Sequence, residues 1–143
     1  MKNEILARVR FDYKASGKTK FLFGGKSSDK MAEELRESQV AKLRNLPFQG
    51  ITVEDIDISI DIYTVFDELT NAEVSYAPVL VTLKADSLED LIRFVATEEF
   101  KKIEIFEPQE LVLSKGEAEK MIFRLVEEIN RLREFIEKKY LGK

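Results

Sequence analysis

Apolar and polar positions alternate most strictly between residues 55 and 66. Positions 56, 58, 60 and 62 are isoleucine, and 55, 57 and 61 are aspartate with Ser59 between them. A period of two with β-branched residues on one side predicts a half-buried strand, here Thr52–Phe66. Glu4–Lys14 alternates in the same way. Ile5, Ala7, Val9, Phe11 and Tyr13 fall on one side, and Leu6, Arg8, Arg10, Asp12 and Lys14 on the other. A turn at Ala15–Lys18 and a short strand Thr19–Phe23 would complete an N-terminal hairpin. Glu73–Ala85 reads as a further strand, in which Pro78 predicts an edge position or a bulge. Ile103–Phe106 and Leu111–Leu113 are short strand candidates.

The period lengthens in three segments. A helix is expected from Asp29 to Leu46, with a break near Glu37-Ser38, stopped by Pro47 and Gly50. Ser87-Leu88-Glu89-Asp90 resembles a capping box with Asp in the Glu position, and Leu88, Leu91, Ile92 and Val95 then mark one helix face. Ser114-Lys115-Gly116-Glu117 has the full Ser-x-x-Glu form and opens a long helix over 114–141. Lys138 and Lys139 suit the negative end of its dipole, and Gly142 a C-terminal cap. The order β-β-α-β-β-α-β-α predicts one α+β domain over 1–143. The expected fold is a ferredoxin-like antiparallel sheet with helices on one face, an N-terminal hairpin and a long C-terminal helix.

Composition narrows the chemistry. The chain contains no Cys, His or Trp, so it holds no disulfide, Cys/His zinc site, His base or thiol nucleophile. Any metal would rest on carboxylates and backbone oxygens, and no cofactor is expected. Abundant Glu and Lys with no Cys resemble the composition of thermophile proteins. No apolar run reaches membrane-spanning length and the N-terminus lacks a signal-peptide core, so a cytoplasmic protein is expected. Residues 1–50 carry five surplus positive charges, residues 51–90 nine surplus negative ones, and the remainder balances. A basic first third could meet nucleic acid, or the acidic middle of its own fold.

Four patterns are candidates for function. Asp55, Asp57 and Asp61 could form an acidic face, or a ladder against Arg8 and Arg10 if the two strands are neighbours. Gly24, Gly25, Lys26 and Ser27 lie between a predicted strand and a helix start, where amides could hold an anion. The spacing fails the complete phosphate-loop pattern, and a glycine turn with a helix cap explains it as well. Ile122, Leu125, Ile129, Leu132 and Ile136 repeat at +3 and +4, a coiled-coil seam that outruns what a small sheet can cover. Ile129, Leu132 and Ile136 are therefore the expected oligomer interface. Finally, Phe11, Tyr13, Phe21 and Phe23 lie among basic residues, a pairing used for single-stranded nucleic acid, although core packing accounts for Phe11 and Tyr13.

Leu80–Tyr140 runs strand, helix, strand, then Ile103-Glu104-Ile105-Phe106-Glu107-Pro108-Gln109-Glu110-Leu111 and a helix. This resembles the ferredoxin-like C-terminal extension of WYL-type bacterial transcription regulators, over less than half the chain. The winged-helix and WYL portions have no counterpart, and no functional residue carries over. No catalytic constellation emerges. The expectation is a non-enzymatic regulatory or scaffold module that self-associates through its last helix, without a membrane. The alternatives are a nucleic-acid-associated protein using the basic first third and a carboxylate enzyme with Mg²⁺ or Mn²⁺ on the aspartate strand.

Overall fold

A computed structural model describes residues 4–16, 27–69 and 71–140. Strand β1 (Ile5–Ser16) is followed by helix α1 (Ser28–Asn45), β2 (Ile51–Asp57), β3 (Tyr63–Asp67), β4 (Ala72–Ala85), α2 (Leu88–Val95), β5 (Phe100–Glu107) and α3 (Lys115–Tyr140). The protein is mixed α+β, with a five-stranded antiparallel sheet. The strand order is β2-β4-β1-β5, and β3 also pairs with β4. The second arm of the expected N-terminal hairpin, Thr19–Phe23, lies outside the described residues. Among the described residues, no helix is long and apolar enough to cross a membrane.

The alternation in β1 and β4 decides the core. Their register sets Ile5 opposite Ala85, Val9 opposite Val81 and Tyr13 opposite Ala77, so the odd positions of both strands share one face. Ile5, Val9, Val79, Val81 and Leu83 are completely buried there. Leu43 of α1 and Leu91 of α2 close over them, with Leu35, Val40, Leu88 and Phe94 at the margin. The other face carries Arg8, Arg10, Lys14, Thr82 and Lys84. It is the open face.

Two expectations about the acidic stretch are corrected. Thr52–Phe66 is two strands, because β2 ends at Asp57 and β3 starts at Tyr63. The Asp57 carboxylate accepts the Ser59 N–H at 2.8 Å, a side-chain turn that leads the backbone out of the ladder. The expected ladder between Arg8 or Arg10 and Asp57 or Asp61 is also absent. β4 lies between β1 and β2, and Asp61 is in the connection between β2 and β3.

Pro78 is neither on an edge strand nor at a bulge, as it sits inside central β4. Asp12, its partner on β1, turns its N–H towards Glu99 O at 2.9 Å. The pair is therefore not hydrogen bonded, and the missing donor of Pro78 points away from β1. On that side β2 pairs only with residues 80–85 and β3 only with 72–76. Pro78 thus sits opposite the gap between two short edge strands. Arg36 spans the gap, donating to Ile60 O at 3.0 Å and to Pro78 O at 3.4 Å.

Other departures are small. α1 runs without a break at Glu37-Ser38, and Leu111–Leu113 is not a strand. Both Ser-based helix starts form. Ser87 Oγ accepts Asp90 N–H at 3.1 Å, and Ser114 Oγ accepts Glu117 N–H at 3.1 Å while Glu117 accepts Ser114 N–H at 2.9 Å.

Candidate functional site

The capping box at Ser114 starts α3 beside α2, and a charge network holds it there. Arg124 reaches Glu89 at 3.4 Å, and Arg93 binds the same carboxylate at 3.2 Å and Asp90 at 2.8 Å. Ala118, Met121, Arg124 and Glu128 mark the half-buried side of α3. Beyond this contact the helix runs free. None of its 26 residues is buried. The five seam residues Ile122, Leu125, Ile129, Leu132 and Ile136 are between 42% and 60% exposed. Phe123, Val126, Phe135 and Tyr140 widen the exposed apolar band.

The distal half of α3 forms one wall of a groove of about 610 Å³. Leu125, Leu132 and Phe135 line it on the helix side, and Ile92, Val95 and Phe100 on the side of α2 and β5. Among the predicted interface residues, Ile129 and Leu132 face this groove, and Ile136 lies one turn further along the exposed band. An isolated exposed leucine means little, but a continuous apolar band along a helix marks a surface that binds another surface.

The other predicted sites are less developed. Gly24, Gly25 and Lys26 lie outside the described residues. Ser27 is the N-cap of α1 by backbone geometry but makes no side-chain cap. Its hydroxyl instead donates to Asp29, whose carboxylate also accepts Lys30 N–H at 2.9 Å. These contacts, the Ser27 hydroxyl first, hold the Asp29 carboxyl below its ordinary value. A carboxylate thus already occupies the positive end of this helix.

Asp55 and Asp57 share the open face of β2, and Asp61 lies off the strand. The Asp57 carboxyl is lowered mainly by hydrogen bonds from Ser59, with a smaller pull from the Arg8 charge. No group of three acidic residues placed to hold a metal ion occurs among the described residues. Phe11 and Tyr13 are buried in the core.

The structure also brings together residues that sequence patterning left apart. Asp12 is buried on the open face, where Arg10 Nε and Nη2 donate to its two oxygens at 2.7 and 3.1 Å. Tyr63 donates its hydroxyl to Asp12 Oδ2 at 2.6 Å. Burial first, then the bond to Asp12, pushes Tyr63 up to about 12, and the same carboxylate raises Arg10. Tyr63 stacks on Tyr76 with centroids 5.1 Å apart, and Lys101 lies over the Tyr76 ring. Nearby, Arg8, Arg10, Lys102, Leu80 and Glu104 surround a depression of about 150 Å³. One sequence signal for this cluster existed: an Asp in the middle of a strand, two residues from an Arg.

No protein family, curated protein or solved structure matches this chain. The assignment of a role therefore rests on the geometry of α3 and of the open sheet face.

Proposed function

We propose that this protein is a non-enzymatic assembly module, regulatory or scaffolding, that self-associates through α3. The observation that carries this reading is the exposed seam Ile122-Leu125-Ile129-Leu132-Ile136 on a helix with no buried residue. Burying apolar area at roughly 25 cal/mol per Å² favours covering such a band with another surface. The placement of α2, which grips only the half-buried side of the helix, supports this reading because it leaves the band exposed.

A ferredoxin-like sheet belongs to the same reading. With β2 and β3 counted as one interrupted strand, the chain forms two split β-α-β units, each leaving a gap filled by a strand of the other. Sedimentation equilibrium over a wide concentration range tests the assembly. A mass rising from 16.5 kDa towards a multiple of it supports the proposal, and a concentration-independent monomer overturns it.

The open face supports a second reading, a weak site for single-stranded nucleic acid. Arg8, Arg10 and Lys102 surround one depression, and the stacked Tyr63–Tyr76 pair lies on the same face. Glu104 and Asp12 offset part of that charge. Anisotropy of a labelled oligonucleotide should rise with added protein and fall back with salt; no change at low salt would remove this reading.

A further inference from the structure

We infer that the surface covering α3 is the α3 of a second copy, aligned parallel and in register as a two-stranded coiled coil. This rests on the assembly reading above and adds the partner's identity, orientation and register.

The residue types along the seam select the arrangement. In heptad terms Ile122, Ile129 and Ile136 occupy a, and Leu125 and Leu132 occupy d. β-Branched residues at a with leucine at d favour two parallel strands, because the two layers present their knobs at different angles to the facing helix. Ala118 extends the seam at d, and charged Lys115 at a and Lys139 at d end it. The resulting contact spans about 27 Å at 1.5 Å per residue.

The flanking positions agree. In a parallel pair each g residue meets the e residue five positions on in the second copy. Met121 then meets Val126, Glu128 meets Arg133, and Phe135 meets Tyr140 of the second copy. Two contacts are apolar or aromatic and one is oppositely charged. In the antiparallel alignment that sets Leu125 against Ile129 of the second copy, Glu128 instead faces Glu128 of the second copy across the two-fold axis. Within one chain Glu128 is bonded to Arg131, whereas Arg133 makes no ion pair among the described residues.

Access agrees as well. The half-buried residues of α3, Ala118, Met121, Arg124 and Glu128, lie at d, g and c, and the a residues Ile122 and Ile136 lie outside the groove beside α2. The protein's own α2 therefore leaves Ile122 and Ile136 open to a second helix, and Leu125, Ile129 and Leu132, between 42% and 56% exposed, border the groove that such a helix would cover. Parallel alignment places both sheets at the same end of the coil.

The absence of native cysteine makes the orientation readable by single-site crosslinking. Ile136 is 46% exposed, so Ile136→Cys leaves the fold intact, which circular dichroism checks. Parallel pairing predicts rapid disulfide formation between two Ile136→Cys chains under mild oxidation. A mixture of Ala118→Cys and Ile136→Cys chains should give no disulfide between the two variants. The reverse result, a mixed disulfide and no Ile136→Cys homodimer, overturns the parallel alignment while leaving self-association standing. A wild-type monomer at all concentrations removes the assembly reading and this inference together.

Charge exchange gives an independent readout. Arg133→Glu should weaken the dimer about tenfold by turning two opposite-charge contacts into like-charge ones. Combining it with Glu128→Arg should restore the affinity. Failure of the double variant to recover overturns the register.

Discussion

Tyr63 donates its hydroxyl to the buried carboxylate of Asp12 at 2.6 Å across 51 positions of sequence. Strand β4 lies between the strands that carry the two residues, and Tyr63 crosses it on the open face, stacked on Tyr76. With two donors from Arg10, the Asp12 carboxylate is supplied with hydrogen bonds on both oxygens. A buried charge is tolerated when it is paired and bonded in this way.

Tyr63→Phe removes one of those donors and leaves the aromatic stack. The expected loss is about 1.5–3 kcal/mol, the usual range for a hydrogen bond to a charged group. Urea unfolding monitored by circular dichroism measures it, and an unchanged midpoint would show that the hydroxyl contributes nothing.

The same tyrosine makes stability fall in alkali. Its ordinary value is 10.0, and in the fold it is pushed up to about 12. Above pH 10 the unfolded chain gives up this proton while the folded chain keeps it, so the folded state binds more protons and loses stability as pH rises. The decline attributable to Tyr63 falls between pH 10 and about 12. Denaturant midpoints across that window should drop for the wild type, and less steeply for Tyr63→Phe.

Gly50→Ala should be strongly destabilising. Gly50 has φ +70° in the turn closed by Ile51 N–H to Phe48 O at 3.1 Å. An added Cβ would lie 2.1 Å from Asp90 Oδ2. Asp90 cannot yield freely, because Ser87 donates to that oxygen at 2.9 Å and Arg93 holds the other. The backbone penalty alone is about 1–2 kcal/mol, and the clash adds to it. Thermal melts should show a clear fall in Tm; an unchanged Tm would contradict the turn geometry.

Leu83 and Ile122 separate folding from assembly. Leu83 is fully buried, so Leu83→Ala should cost about 2–5 kcal/mol of folding free energy. Ile122 is 60% exposed on α3, so at dilutions where the chain is monomeric Ile122→Ala should change stability by less than about 0.5 kcal/mol. Its effect should appear instead as weaker self-association in sedimentation. Equal losses of monomer stability for both substitutions would contradict the exposed placement of α3.

Much of the fold was legible because its signals are short-range. The Ser114–Glu117 capping box needs only neighbours three residues apart, and both contacts form. The same holds for Ser87 with α2 and for the apolar alternation of β1, whose odd residues line the core. The candidate surface on α3 was legible for the same reason, since a +3, +4 repeat reports one face of a helix. Its exposure was not directly readable, because an apolar stripe looks the same whether its own sheet or another surface covers it.

The acidic stretch shows where local pattern stops. Alternation over residues 52–66 assigns Ile56 to the core face and Asp55 and Asp57 to the open face, and the structure agrees. It cannot report that the Asp57 side chain turns the backbone away two residues later, because the alternation continues through the break. Nor does it report that β4 stands between Arg8 and Arg10 and those aspartates, so that Arg8 acts on Asp57 only as a distant charge.

By itself, the amino-acid sequence determined the type of most elements, the inward face of β1 and of Ile56 in β2, and the seam of α3. Each follows from a backbone period or from hydrogen bonds spanning a few residues. Tertiary structure alone decided the partners: Asp12 with Tyr63, Pro78 with the gap between β2 and β3, and α3 with α2 by one side only. Those contacts depend on strand order and register, which join residues far apart in the chain and leave no mark on the local pattern of either partner.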